Sequence, residues 1–186
     1  MHLLQKNSFK ISDWSGGQTT ELLILPETSS YLERNFSIRI SSALIRDTFS
    51  QFTSLPGIER IILPLSGELY LKHHLLTGAI EQDLNPFELG RFSGDWQTEG
   101  RNDPGLIDFN VMFDATKLDA KVHLLNNQNS SAYNSFNKNN RFVWCFTGQL
   151  SINQCAIREG DAFVCKEKDG FELESNDSFV AILVEW

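Results

Sequence analysis

Phe36-Ser37-Ile38-Arg39-Ile40-Ser41 alternates apolar and polar side chains at every position. Successive side chains of a β-strand point to opposite faces of a sheet, so this period of two predicts a strand with one apolar face and one polar face. The same alternation runs through Ile107-Asp108-Phe109-Asn110-Val111-Met112. Both segments are therefore predicted to be strands that carry directional polar groups on one face.

Outside these two segments, short apolar runs bounded by Gly, Pro, Asn or Asp recur at intervals of about ten residues, a spacing typical of all-β proteins. The clearest runs are residues 22–25, 36–42, 61–65, 68–73, 107–113, 142–146, 162–165 and 179–186. No long stretch keeps a helical period, so the sequence predicts an all-β sandwich or barrel. A short helical turn at residues 42–47 is left open as an alternative.

The chain divides at an asparagine-rich segment. Residues 126–140 hold seven asparagines, and asparagine favours turns because it bonds its own backbone and tolerates positive φ. This segment is predicted to be a surface connection. The rhythm of strands and turns after it resembles that of the first half, which predicts two related β-units in tandem. Residues 1–120 are predicted to form an N-terminal barrel with a ligand pocket, and residues 121–186 a C-terminal barrel with a structural role.

Composition narrows the possible partners. The 186 residues include 24 acidic and 16 basic side chains, a formal charge of −8, which disfavours nucleic acid and anionic lipid as partners. No apolar run approaches the roughly 18 residues of a membrane span, so a cytoplasmic location is expected. The three cysteines lie ten residues apart, a spacing more typical of buried thiols than of a zinc site or a disulfide scaffold.

The polar faces suit recognition of a small polar molecule. Arg39 offers a planar fork that matches a carboxylate, while Ser41, Asp108 and Asn110 supply compact donors and acceptors. Arg60 follows a turn and precedes an apolar run, so it is expected at a barrel mouth, a common ligand site. An alternative is that Arg39 and Asp108 pair across the sheet and only fix its register.

Six motifs carry a family resemblance. In combination and order they closely resemble the HutD/Ves family: Trp14-Ser15-Gly16-Gly17-Gln18-Thr19-Thr20-Glu21, Arg39-Ile40-Ser41-Ser42-Ala43, Phe49-Ser50-Gln51-Phe52, Pro56-Gly57-Ile58-Glu59-Arg60, Phe92-Ser93-Gly94-Asp95 and Asp108-Phe109-Asn110-Val111-Met112. The resemblance implies a bicupin, two small β-barrels in one chain, linked to bacterial histidine utilisation or to stress response. It also implies a regulator that binds a small pathway metabolite. Glu59 departs from the aspartate expected before the arginine but keeps the charge, and Gly16 and Gly17 are interpreted as turn residues.

The resulting hypothesis is a metal-independent bicupin that binds a carboxylate metabolite in its N-terminal barrel. Arg60 and Arg39 would hold the anionic group, and Ser41, Asn110 and Gln18 would donate or accept hydrogen bonds. Trp14, Phe52 and Met112 would form the walls. The complete predicted site is Trp14, Gln18, Thr20, Arg39, Ser41, Phe52, Arg60, Asp108, Asn110 and Met112.

No metal or other cofactor is expected. His73 and His74 are adjacent on a predicted strand and should point to opposite faces, which prevents them from sharing an ion. A second hypothesis is a metal-independent isomerase or lyase that uses Asp108 or Glu21 as its acid or base. A third is a structural or protein-binding module whose polar faces pair internally. A homodimer is compatible with the fold class.

Overall fold

A computed structural model describes residues 2–133, 140–166 and 170–186. Within these ranges the chain is all-β as predicted, with seventeen strands, two short 3-10 helices at Lys6–Ser8 and Ser130–Tyr133, and no α-helix. None of the helices in the described part of the chain is long and apolar enough to cross a membrane. Part of the asparagine-rich connection, residues 134–139, lies outside the described residues.

The described strands include eight that fall on the predicted apolar runs and nine that lie outside the runs named above. In chain order they are β1 (His2–Leu4), β2 (Lys10–Trp14), β3 (Gly17–Leu25), β4 (Ile38–Ile45), β5 (Phe49–Gln51), β6 (Ile58–Ser66), β7 (Leu69–Leu75), β8 (Gly78–Leu84), β9 (Gly90–Ser93), β10 (Gln97–Asn102), β11 (Leu106–Asp114), β12 (Lys121–Asn126), β13 (Arg141–Ile152), β14 (Cys155–Arg158), β15 (Ala162–Cys165), β16 (Leu173–Glu174) and β17 (Phe179–Glu185).

The helical alternative at residues 42–47 is wrong. Ser42 to Ile45 continue β4, which pairs with β3 on one side and β11 on the other. Hydrogen bonding to two neighbouring strands satisfies the backbone of this segment, whereas its sequence gives only a weak helical preference.

The N-terminal unit, Lys10–Asp119, contains two sheets. The six-stranded sheet has the order β2-β3-β4-β11-β6-β9 and the four-stranded sheet the order β5-β10-β7-β8. Apolar side chains from both sheets form one core cluster: Ile45, Ile62, Leu69, Leu71, Leu84, Phe92 and Leu106. This unit is therefore held together by side chains packed between two faces of sheet, and its polar site lies on one of those faces.

The C-terminal unit combines Ala120–Trp186 with Met1–Phe9. Its sheet has the order β1-β15-β13-β17-β12, with β14 and β16 paired to β13. Strand β1 joins this sheet by pairing with β15, about 160 residues along the chain. The first nine residues thus lie with the C-terminal unit, which differs from the division into residues 1–120 and 121–186.

The predicted barrels are not closed by hydrogen bonds. In the described ranges, the strand order of each sheet ends at two separate edges. The N-terminal unit shows the physical reason, because its two sheets are joined through apolar packing rather than through a continuous ladder.

Candidate functional site

Strands β4, β11 and β6 bring six of the predicted residues onto one buried face. Arg39, Met112 and Arg60 are directly opposite one another across the three strands. Ser41 and Asn110 form the next row, and Asp108 lies opposite Ala43 in the third. None of the following six residues is more than 7% exposed: Arg39, Ser41, Arg60, Asp108, Asn110 and Met112.

Arg39 pairs with Glu21 on β3. Its Nε donates to Glu21 Oε2 at 2.7 Å, and its Nη1 donates to Ser41 Oγ at 3.1 Å. The guanidinium carbon also lies 4.6 Å from the centre of the Tyr31 ring. The alternative that Arg39 and Asp108 form the ion pair of this sheet is therefore wrong, because Glu21 holds that position.

Arg60 is buried between aromatic rings. Its guanidinium carbon lies 4.9 Å from the Phe52 ring centre and 5.5 Å from the Phe92 ring centre. One guanidinium nitrogen, Nη1, donates to the Thr53 carbonyl at 3.3 Å, whereas the buried Nε has no hydrogen-bond partner among the described residues. Burial lowers the pKa of Arg60 to about 10, so the side chain still carries its charge at neutral pH.

Asp108 is held on the same face by backbone contacts. Its Oδ1 accepts a hydrogen bond from the Ala43 N–H at 3.2 Å, and its carbonyl oxygen accepts one from Ser42 Oγ at 2.7 Å. Burial raises the pKa of Asp108 to about 7, although the Ala43 N–H and the charges of Arg60 and Arg39 act in the opposite direction. This carboxyl group can therefore gain or lose a proton near neutral pH.

Asn110 and Met112 complete the face. The Asn110 side chain is 5% exposed, and its buried Oδ1 has no hydrogen-bond partner among the described residues. Met112 packs in an apolar cluster with Phe36, Leu55 and Ile58. Met112 thus forms part of the apolar wall beside the two arginines, and Asn110 presents an unused acceptor to the same face.

Gln18 and Thr20, two residues of the first motif, do not lie on the face where the sequence predicted them. Thr20 lies opposite Ser42, on the other face of the sheet from Ser41, and Gln18 shares that other face. Gln18 Nε2 donates instead to Asp13 Oδ1 at 3.0 Å. Gln18 and Thr20 are therefore not members of the site, and Glu21 takes their place.

Trp14 and Phe52 have separate positions. Trp14 ends the edge strand β2, is 41% exposed, and donates its indole N–H to Thr19 Oγ1 at 3.1 Å. Phe52 covers Arg60 and also lines an open pocket of about 540 Å³ with Gln51, Thr53, Ser54, Asp95 and Gln97. Phe52 thus lies between the buried arginine and the pocket, whereas Trp14 lies at the margin of the sheet.

Sequence reasoning missed several side chains of the site. Tyr31 comes from the connection between β3 and β4, for which no sequence signal was available. Phe92 belongs to a family motif but was not assigned to the predicted site, and it lies opposite Arg60 on β9. Glu21 was considered only as a possible base, because its alignment with Ser41 depends on a register shift between Glu21 and Leu23.

The charges on this face do not balance. Arg39 is compensated by Glu21, whereas Arg60 interacts electrostatically with the ionisable Asp108. When Asp108 is protonated, the two arginines, Glu21 and Asp108 together carry one net positive charge. A buried positive charge is costly without a partner, so this face favours an anion.

The pH dependence of stability should reveal the buried Asp108. Its pKa is raised from 3.8 to about 7 by folding, so the folded protein holds this proton more tightly than the unfolded chain. The resulting stabilisation, on the order of a few kcal/mol, is complete below about pH 4 and is lost as the pH rises through about 7. Urea unfolding measures the free energy of unfolding at pH 5 and at pH 8. Between these two pH values it should fall more for the wild type than for Asp108→Asn.

Asp103→Asn provides the matched control, because Asp103 is an exposed carboxylate of the same unit. The free energy of unfolding of this variant should differ between pH 5 and pH 8 by the same amount as that of the wild type. An Asp108→Asn protein with the full wild-type difference would contradict the raised pKa.

The C-terminal unit has an inward-facing ion pair of its own. Arg141 is 4% exposed, its Nε donates to Glu185 Oε1 at 2.7 Å, and its guanidinium carbon lies 4.7 Å from the Phe171 ring centre. His123 Nε2 lies 3.4 Å from Glu185 Oε2, and Tyr133 Oη lies 3.3 Å from His123 Nδ1. These contacts form a chain of polar groups, with Arg141 and Glu185 buried, in a unit that was predicted to be structural.

The histidines are not arranged for metal binding. His73 is fully buried, bonded to Thr98 Oγ1 at 2.9 Å and Gln82 Nε2 at 3.2 Å, while His74 is 40% exposed beside Glu99. The two therefore point to opposite faces of β7, as the sequence indicated. In the described residues, no three His, Cys, Asp or Glu side chains are grouped closely enough to hold a metal ion.

Comparisons with known proteins cover almost the whole chain. The family model of HutD matches residues 6–182. Among solved structures, a conserved protein of unknown function from Pseudomonas aeruginosa PAO1 matches with a TM-score of 0.80 and 17% identity, over 99% of this chain and 97% of that one. HutD from Pseudomonas fluorescens SBW25, in a formate condition, matches with a TM-score of 0.73 and 19% identity, over 99% and 96%.

A more distant match is the bacterial pirin YhhW from Escherichia coli in complex with nickel(II), with a TM-score of 0.67 and 9% identity, over 99% of this chain and 97% of that one. At these identities the solved structures show the fold alone, which is cupin-like. A search among curated proteins finds no match.

Proposed function

This chain belongs to the HutD family, and from that premise we propose that its N-terminal unit binds a small carboxylate-bearing metabolite at Arg60. The observation that carries the proposal is the buried Arg60 Nε, which has no hydrogen-bond partner among the described residues. An unpaired buried donor on a charged group costs more than a neutral one. A ligand carboxylate would supply both the missing acceptor and the missing negative charge.

The surroundings of Arg60 support a planar anion. The rings of Phe52 and Phe92 lie against its guanidinium group and limit the directions in which the fork can turn. Arg39 is already engaged by Glu21, so Arg60 is the cation that remains for a ligand. The proposed route to it starts from the open pocket of about 540 Å³ and passes the Phe52 side chain.

We assign the protein a regulatory rather than a metabolic role, in histidine utilisation, as the motif resemblance implies. In this proposal the protein is a cytoplasmic bicupin whose N-terminal unit senses a pathway acid. The cupin-like fold of the pirin match and the two compact units of the chain support this architecture. The metabolite is the proposed partner, and nucleic acid and membranes are not.

Arg60→Ala should abolish binding while leaving the fold intact. The test is a thermal-shift screen of the wild type against acids of histidine and glutamate catabolism and small sugar acids. An acid at about a hundred times its Kd should stabilise the fold by roughly 2.7 kcal/mol and raise the Tm by about 5–11 °C. Arg60→Ala should show no shift with that acid, because the carboxylate loses its cation.

Arg46→Ala serves as the control, because Arg46 is an exposed arginine of the same unit. It should retain the wild-type shift, which excludes a general effect of net charge. An equal shift in Arg60→Ala would overturn the proposal.

A second candidate function is catalysis with Asp108 as general base. The pKa of Asp108, raised by burial to about 7, is suited to proton transfer at neutral pH. This alternative predicts that Asp108→Asn still binds the acid that shifts the Tm but no longer converts it. If the wild type does not convert this acid, catalysis is contradicted and binding remains as the proposed function.

A further inference from the structure

We propose that the ligand is an acid that carries a neutral hydrogen-bond donor, a hydroxyl or an amide N–H, close to its carboxylate, and that Asn110 accepts from this donor. This inference rests on the proposed carboxylate site at Arg60. It narrows the ligand class to hydroxy acids and N-acyl amino acids.

The geometry places the two unused groups within reach of one small molecule. Met112 lies directly opposite Arg60, and Asn110 precedes Met112 by two residues on β11. Arg60 and Asn110 are therefore diagonal neighbours on the same face of adjacent strands, with Cα atoms about 7–8 Å apart. A ligand bound to Arg60 can reach Asn110 with a group only a few bonds from its carboxylate.

The chemistry of the two groups is complementary to such a ligand. Arg60 Nε is a buried donor without an acceptor, and Asn110 Oδ1 is a buried acceptor without a donor. The residues beside Asn110 do not supply that donor. Ile62 is apolar, and Ser41 Oγ, which accepts from Arg39 Nη1, makes no hydrogen bond to Asn110 Oδ1.

The charge of the face selects a neutral donor over an ammonium group. Arg39 and Arg60 are both buried here, Glu21 is already paired to Arg39, and burial favours the neutral form of Asp108. An ammonium group next to the carboxylate would bring a third cation to this low-dielectric region, where like charges repel strongly. A free α-amino acid is therefore expected to bind less tightly than the corresponding hydroxy acid.

The test compares glycolate, propionate and glycine, whose amino group is an ammonium at this pH, by calorimetric titration of the full chain at pH 7. Glycolate and propionate have the same charge and number of heavy atoms, and they differ by a hydroxyl in place of a methyl group. The wild type should bind glycolate about threefold to tenfold more tightly than propionate, the gain typical of one hydrogen bond. Glycine should bind more weakly than glycolate.

Two variants assign the preference to Asn110. Asn110→Leu keeps a similar volume, and Asn110→Ala provides a smaller side chain if leucine disturbs folding, which circular dichroism and the Tm will show. In a folded variant the preference for glycolate should disappear while propionate still binds.

The outcomes separate this inference from the proposed function. If both acids bind the wild type equally, the donor requirement is overturned and the carboxylate site stands. If glycolate is still preferred after Asn110 is replaced, the role of Asn110 is overturned. If neither acid binds, the carboxylate site itself fails, and this inference fails with it.

Discussion

Arg141→Ala should lower the free energy of unfolding by roughly 3–5 kcal/mol, the usual cost of removing one partner from a buried ion pair. Glu185 is only 9% exposed, and its Oε1 accepts the Arg141 Nε–H at 2.7 Å. The variant would leave this carboxylate buried beside His123 without the guanidinium group, and it would also remove the packing of that group on Phe171. Urea unfolding followed by circular dichroism at pH 7 measures the loss.

The control is the double variant Arg141→Met with Glu185→Leu. Replacing a buried ion pair by apolar side chains of similar size is often neutral or stabilising, so the double variant should be more stable than Arg141→Ala. A loss below about 1 kcal/mol for Arg141→Ala would instead be typical of an exposed ion pair and would contradict the buried one.

Gly94→Ala should cost about 3 kcal/mol, the upper part of the range for overpacking. A Cβ atom at Gly94 would lie 2.5 Å from the Leu55 carbonyl oxygen and 2.7 Å from that of Ile58, both of which are backbone atoms. Two backbone hydrogen bonds hold Gly94 in this position. Its N–H donates to the Ile58 carbonyl at 2.7 Å, and its carbonyl accepts from the Leu55 N–H at 2.8 Å. Thermal unfolding measures the effect.

The same substitution should weaken acid binding. The segment that Gly94 holds begins next to Thr53, whose carbonyl accepts from Arg60. Ser93→Ala is the control, because it removes only a hydroxyl that contacts Asp95 and should cost about 1 kcal/mol or less. A Gly94→Ala protein as stable as Ser93→Ala would show that the two loops can separate at little cost.

The polar face could be predicted because it depends on a local pattern. Alternation in two segments placed Arg39, Ser41, Asp108 and Asn110 on polar faces, and β4 and β11 are in fact neighbours. The turn before Arg60 and the apolar run after it added Arg60, which pairs with Met112 on the other side of β11. A period of two is a property of each strand alone, so the two faces of a strand can be predicted without knowledge of its partner strand.

The errors arose where the result depends on distant parts of the chain. The register shift between Glu21 and Leu23 decides how β3 aligns with β4, and it directs Glu21 rather than Gln18 and Thr20 toward Arg39. The pairing of β1 with β15 likewise has no local signal in the first nine residues. Neither feature can be read from the composition of the segment concerned.

Gly17 shows a second kind of error. It was interpreted as a turn residue, but it begins β3, and a Cβ atom there would collide with the Leu44 carbonyl oxygen of the neighbouring strand. Gly94 has the same explanation. These glycines permit close approach of two backbones, a requirement that becomes visible only when both segments are in place.

Each of the two units contains a buried ion pair, and the N-terminal unit contains one further buried cation. Arg141 and Glu185 form a pair in the C-terminal unit, and Arg39 and Glu21 form another in the N-terminal unit. Arg60 is an additional buried cation in the N-terminal unit, accompanied by a carboxyl group whose pKa is raised to about 7 by burial. The proposed binding of an anion in the N-terminal unit rests on this additional charge.

The most direct test of the carboxylate site is to observe the Arg60 Nε–H group by nitrogen-15 NMR while glycolate is added. Its resonance is assigned from its loss in Arg60→Lys, and the Nε–H of the exposed Arg46 serves as an internal reference. The account predicts that the Arg60 resonance moves in a saturable manner as the nitrogen gains an acceptor, and that the Arg46 resonance does not. A glycolate titration that saturates at other groups while the Arg60 resonance stays unchanged would contradict the account.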